Sequence, residues 1–196
     1  MTLVKTRNGL FLAVFLVCVL LVTACGDGKP HKLNIKLESF QYIDQEGNRK
    51  DISDLKGKVW VADFIFTHCT TVCPMLTANM SDLQQELKNA GIKAELVSFS
   101  VDPENDNPDA IKTYISKFSD DLTNWQGLTG YSFDDIQTFA RSNFKMAIQK
   151  DTASDQVIHG TSFFLVDQTG TVVSFYDGQE PPYDKIKKDI KALERS

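Results

Sequence analysis

Two cysteines, Cys69 and Cys73, stand four residues apart and are followed at once by Pro74. In a helical turn that spacing projects both sulfurs from one face. At a rise of about 1.5 Å per residue the Cα atoms lie roughly 6 Å apart, within reach of a disulfide. Two thiolates so placed also suit a soft metal ion. Redox chemistry and metal binding are both open. His159, beside Gly160 at the head of an apolar run, is a candidate imidazole ligand. Asp102 ends a second apolar run, where it either caps the Pro103 turn or orients a ligand. His68 adjoins Cys69, and because neighbouring side chains diverge it is expected to face solvent. Met75 and Met80 are soft donors nearby, and both read as core. Asp63 lies inside an apolar run, a buried acid whose partner the sequence does not name. His31 falls in a linker, away from this chemistry.

Two thiolates and one imidazole make an S₂N set. Structural zinc takes four protein ligands, and catalytic zinc three plus an activated water. Thiolate–imidazole ligation without a fourth strong donor suits copper in either oxidation state. No Gly-rich phosphate loop, Ser/His/Asp set or pair of carboxylates accompanies these residues.

The elements that must position them follow from periodicity. Val59 to Phe66 is a continuous apolar run and reads as a buried strand; Leu76, Met80, Leu83 and Leu87 mark one helix face. The cysteines therefore sit where a strand hands over to a helix. Pro74 is tolerated in a first turn, and unpaired amides there favour a thiolate. Gly91 stops that helix. Ile92 to Val101 is a second buried strand, delivering Asp102 to Asp106 at its end, and Asn107-Pro108 opens a helix bearing Ile111, Tyr114 and Ile115. Trp125 to Leu128 is a short strand, Ser132 caps a helix carrying Ile136 and Phe139, and Phe144 to Ile148 reads as a further short strand before a polar loop, Gln149 to Gln156. Thr161 to Val166 and Thr171 to Tyr176 form a hairpin over Asp167–Gly170, and Ile186, Ile190 and Leu193 mark a last helix. Upstream, the alternation from Leu33 to Asp44 with a turn at Gln45–Asn48 reads as a hairpin. The expected class is α/β: a mixed central sheet with helices on both faces and a site at the C-terminal ends of central strands.

The 196 residues, 42% hydrophobic and 24% charged, provide one globular domain and an extra segment. A formal net charge of −5 argues against a nucleic-acid partner. The extra segment is N-terminal: Lys5 and Arg7 precede the uncharged apolar run Leu10 to Val22, the pattern of an export signal. Its end, Leu21-Val22-Thr23-Ala24-Cys25-Gly26, resembles the lipobox of bacterial lipoproteins. That resemblance implies cleavage before Cys25 and diacylglyceryl attachment to its sulfur. The expected organisation is a signal peptide at 1–24, a lipidated cysteine and linker at 25–32, and a domain at 33–196, held on the extracytoplasmic face of a bacterial membrane. Cys18 and Cys25 belong to the segment, which leaves Cys69 and Cys73 as the cysteines of the domain.

Phe64 to Pro74, reading FIFTHCTTVCP, resembles the CxxxCP motif of the Sco/SenC family of copper proteins. Val101 to Pro108 is similar to the family's second block, and His159-Gly160-Thr161 with Leu165-Val166-Asp167 and Gly170 to its third. The resemblance implies a thioredoxin-like fold with an inserted β-hairpin. It implies one copper, Cu(I) or Cu(II), bound by Cys69, Cys73 and His159, with Asp102 in support. It further implies service to the CuA centre in subunit II of cytochrome c oxidase. The chain departs from the family pattern at Thr70 and Thr71, where Pro and Asp are frequent; no donor is lost. The competing expectation is a thiol–disulfide reductase that keeps the oxidase's copper-ligand cysteines reduced. Against it, thioredoxins carry CxxC and usually a cis-proline opposite, whereas this chain has CxxxC and no proline before Thr161.

Overall fold

The computed structural model describes residues 32–195. The expected export signal, with Cys18, Cys25, His31 and nearly all of the expected linker, lies outside the described residues. Ten strands run β1 (Lys32–Lys36), β2 (Gln41–Asp44), β3 (Arg49–Asp51), β4 (Trp60–Ile65), β5 (Glu95–Ser100), β6 (Trp125–Thr129), β7 (Gln149–Lys150), β8 (Val157–Ile158), β9 (Ser162–Val166) and β10 (Thr171–Asp177). The α-helices are α1 (Cys73–Asn89), α2 (Pro108–Ile115), α3 (Phe133–Phe144) and α4 (Tyr183–Leu193). Eight strands form one mixed sheet in the order β1-β10-β9-β4-β5-β6-β2-β3, with β4, β5 and β6 parallel at its centre.

β4 and β5 are buried on both faces, which is why they read as unbroken apolar runs rather than alternating ones. On one face Trp60, Phe64, Val97 and Phe99 meet Ile136, Phe139, Ala140 and Phe144 of α3. Aromatic rings dominate there: Phe64 stacks on Phe99 at 5.2 Å, and Phe144 meets Phe64 edge-on at the same distance. On the other face Val61, Ile65 and Leu96 meet Leu76, Met80 and Leu83 of α1, Ile111 and Ile115 of α2, and Ile186 and Ile190 of α4. The helices thus cover both faces, as the periodicity predicts. Gly127 on β6 lets α2 lie close, since a Cβ there would stand 2.2 Å from Ile111 Cγ2.

Four features differ from what the sequence predicts. The alternation from Leu33 to Asp44 is not one arm of a hairpin: β1 pairs with β10 at one edge of the sheet, and only β2 pairs across the Gln45–Asn48 turn, with β3 near the other edge. Phe144 to Ile148 is not a strand. Phe144 closes α3, Lys145 takes a left-handed conformation (φ 55°) as its cap, and Phe144, Met146 and Ile148 face the core from an irregular segment. The predicted loop after it contains β7, which pairs with β8 as a separate two-stranded arm inserted between α3 and β9. Met75, read as core, is 40% exposed on the outer side of the first turn of α1, whereas Met80 is fully buried.

Candidate metal and thiol site

Three connections converge above the C-terminal ends of β4 and β5. The first is the turn from β4 into α1. Cys69 precedes the helix and Cys73 is its first residue; both thiols are free and buried. Val72 at the N-cap offers no side-chain acceptor to the first amides. Instead the Cys73 amide donates to Cys69 Sγ at 3.4 Å, so a sulfur occupies the capping role. Burial works to raise the Cys69 thiol, but hydrogen bonds from Cys73 and Thr71 outweigh it and its pKa falls. Cys73 goes the other way: burial first, then the Cys69 sulfur beside it and the nearby Asp63, push its thiol up. The helix start thus favours the thiolate at Cys69 alone, because Cys73 lies inside the first turn and against the core. The arrangement resolves into a Cys69 sulfur favoured as the thiolate and a more deeply buried Cys73 that holds its proton.

The second connection is the arm β7–β8, which leads directly into His159. The His159 ring Nδ1 lies 2.9 Å from the Gly160 carbonyl oxygen, and a carbonyl can only accept, so Nδ1 carries the proton. Nε2 is then left with its lone pair, and it faces Cys73 Sγ at 3.5 Å. Burial lowers the His159 pKa despite the carbonyl's opposing pull, which keeps the ring neutral. Phe66 packs edge-on against His159 at 5.9 Å, and Met146 backs Gly160, where any side chain would press on its thioether.

The third connection is the turn after β5. Asp102 is buried here, but its carboxylate meets His68 Nε2 at 3.2 Å and the Asn105 amide at 2.8 Å, not His159. His68 is therefore half-buried rather than solvent-facing. Its ring lies edge-on to Phe66 at 5.0 Å, with Nε2 also 3.3 Å from the Asp155 carbonyl at the tip of the arm. Sequence reasoning missed Asp106, which has no solvent exposure and accepts from the Thr67 amide, Thr67 Oγ1 and Ser100 Oγ. Its only outward signal is its place four residues after Asp102 in a polar turn. Asp63 is buried on β4 with no hydrogen-bond partner for either carboxyl oxygen among the described residues.

Cys73 and His159 thus already face each other, and Cys69 adjoins Cys73. Among the described residues, no three His, Cys, Asp or Glu side chains are yet grouped to hold an ion. The Thr71 hydroxyl lies 3.6 Å from the Cys69 sulfur.

Residues 29–194 match the SCO1/SenC family model. The chain belongs to the SCO1/SenC family. It is 46% identical over 176 residues to the SCO1 protein homolog of Bacillus subtilis, covering 88% of this chain and 91% of that one. Among solved structures, a SCO1/SenC family lipoprotein from Bacillus anthracis superposes with a TM-score of 0.81 at 49% identity, over 84% of this chain and 98% of that one. Arabidopsis thaliana ScoI, solved with copper bound, gives a TM-score of 0.68 at 27% identity, over 81% of this chain and 98% of that one. The fold is thioredoxin-like, as the motif resemblance implies, and the inserted hairpin of this SCO1/SenC chain is the β7–β8 arm that presents His159.

Proposed function

We propose that the protein is a membrane-tethered copper metallochaperone that binds one copper through Cys69, Cys73 and His159. In this reading it delivers the metal to the CuA centre in subunit II of cytochrome c oxidase. The observation that carries the reading is the His159 tautomer: Nδ1 donates to the Gly160 carbonyl, so Nε2 is the free lone pair, and it faces Cys73 Sγ at 3.5 Å. A ligating imidazole is typically fixed in this way through its other ring nitrogen. Two soft sulfurs and one imidazole in a pocket walled by Phe66 select a thiophilic ion, and the copper-bound Arabidopsis relative supports copper as that ion. Binding displaces the thiol protons, so uptake is favoured as pH rises and requires the reduced pair. The lipobox-like end of the leader and the lipoprotein relative support cleavage after Ala24, lipid attachment at Cys25 and a domain at 33–196 working outside the membrane.

The coupled cysteines favour a second reading, a thiol–disulfide reductase acting on the oxidase's copper-ligand cysteines. Cys69 has the lowered pKa of an attacking thiol, with Cys73 beside it to resolve the mixed disulfide. The described residues contain no cis peptide, so the usual thioredoxin partner to the dithiol is missing among them. The two readings part at His159, which copper ligation needs and dithiol exchange does not. In cells depending on this chain, His159→Ala is expected to abolish assembly of a copper-loaded oxidase while leaving the dithiol able to reduce a disulfide substrate. Full oxidase assembly with His159→Ala would transfer the role to the reductase.

A further inference from the structure

The cysteine turn is held in place by a carboxylate that contacts neither sulfur. We infer that Asp106 is the positioning residue for Cys69 and Cys73, fixing the turn that carries them to the end of β5. This deepens the copper reading and rests on it for the metal, but its geometry concerns the chain alone.

Three donors converge on the Asp106 carboxylate. The Thr67 amide lies 3.2 Å from each oxygen, Thr67 Oγ1 lies 2.6 Å from Oδ1, and Ser100 Oγ lies 2.7 Å from Oδ2. A carboxylate that accepts backbone and hydroxyl donors in a buried setting makes short, strong bonds, and no water competes for them. Thr67 is the second residue before Cys69, so its amide and hydroxyl together define where the turn leaves β4. Asp106 is itself held. Its amide donates to the Asp102 carbonyl at 2.9 Å, and its carbonyl accepts from Thr129 Oγ1 at 2.6 Å. The following residue, Asn107, caps α2 through the Ala110 amide. The carboxylate thus joins the β4–α1 turn to β5, while the main-chain carbonyl of Asp106 ties the same residue to β6 and Asn107 beside it starts α2.

Two neighbours in the same turn reach the other half of the site. Asp102 meets His68, whose Nε2 also reaches the Asp155 carbonyl on the arm, and Glu104 pairs with Lys150 of β7 at 2.7 Å. These ties differ in strength. The Glu104–Lys150 pair is half or more exposed on both sides and contributes little. Asp106 has no solvent exposure, so it governs the cysteine half.

The test compares Asp106→Ala, Thr67→Val, Ser100→Ala and Glu104→Gln in the reduced full-length chain. Copper affinity is measured by competition with a chelator, the sulfur-to-copper charge-transfer band by absorbance, and the reduction potential of the Cys69/Cys73 pair by equilibration with thiol buffers. Thr67→Val removes one donor on the cysteine side, and Ser100→Ala removes one on the strand side of the same carboxylate. Asp106→Ala is expected to weaken copper binding about 10–100-fold, the range for residues that hold ligands from behind. It is also expected to shift the charge-transfer band. Asp106→Ala and Thr67→Val should also shift the reduction potential, Thr67→Val reproducing both shifts in smaller degree and Ser100→Ala, which removes the strand-side donor to the same carboxylate, moving them in the same direction, whereas Glu104→Gln in the exposed pair leaves both in place. If Asp106→Ala fails to fold, the contrast between Thr67→Val and Glu104→Gln decides. Identical bands and potentials in wild type and Thr67→Val would overturn the assignment. Because the potential is read without metal, loss of copper binding by the wild type would sink the copper reading without touching this one.

Discussion

Replacing Cys73 by alanine is expected to weaken copper binding by roughly 10²–10³-fold. Four-ligand structural sites for a comparable divalent ion yield about 10–16 kcal/mol, or about 2.5–4 kcal/mol per ligand. At 1.4 kcal/mol per decade, one lost ligand costs two to three decades. Cys73 is the donor nearest His159 and is fully buried, so no water or neighbouring side chain is placed to substitute for it. Cys73→Ser is the informative companion: it keeps the size and offers oxygen, a hard donor that a soft ion disfavours. Both variants should lose affinity to a similar degree in competition against a chelator under reducing conditions. Retention of wild-type affinity by Cys73→Ala would remove the sulfur from the ligand set.

The second large effect concerns Asp63 and is read as stability against pH. Burial raises its pKa to about 7, with the nearby Ser98 pulling the other way. In an unfolded chain the same group titrates near 4. Below about pH 4 the carboxyl is protonated in both states. Between about 4 and 7 the native protein retains a proton that the unfolded chain has released, so stability falls as pH rises through this window and levels off above it. About three pKa units at 1.4 kcal/mol each set the ceiling near 4 kcal/mol. Asp63→Asn has no charge to bury and should lack this dependence. Denaturant unfolding of wild type and variant at pH 4, 5.5, 7 and 8 isolates it, because other titrating groups cancel in the difference. Parallel stability curves across that range would show that Asp63 is ionised and accommodated by a partner in the native state.

Much of the sheet was legible because its central strands bury both faces, and continuous runs such as Val59–Phe66 have few alternatives once Gly and Pro bound them. The helices were legible from spacing and caps: Asn107 and Ser132 each accept the amide three residues on. What escaped depends on contacts distant in sequence. β1 seeks its partner in β10, more than a hundred residues away, and nothing local distinguishes that from a hairpin. The β7–β8 arm has strands of two residues, too short for any periodicity. In the site, the cysteine pair and His159 could be proposed from motif and position. The detailed roles could not. His68 turns inward because Asp102 and the arm both attract its Nε2, and Asp102 is thereby drawn away from His159. Asp106 is unremarkable in the sequence, and becomes structurally important only when β4 and β5 lie side by side and bring Thr67 to it.

The most direct measurement is a copper titration of the reduced full-length chain, followed by absorbance and EPR, alongside the Cys69→Ser, Cys73→Ser and His159→Ala variants. One copper is expected to saturate the Cys69/Cys73/His159 set. The sulfur-to-copper band should weaken and shift in either cysteine variant, and nitrogen hyperfine coupling should be lost in His159→Ala. Absence of saturable copper binding, or a spectrum that all three variants share with the wild type, would contradict it.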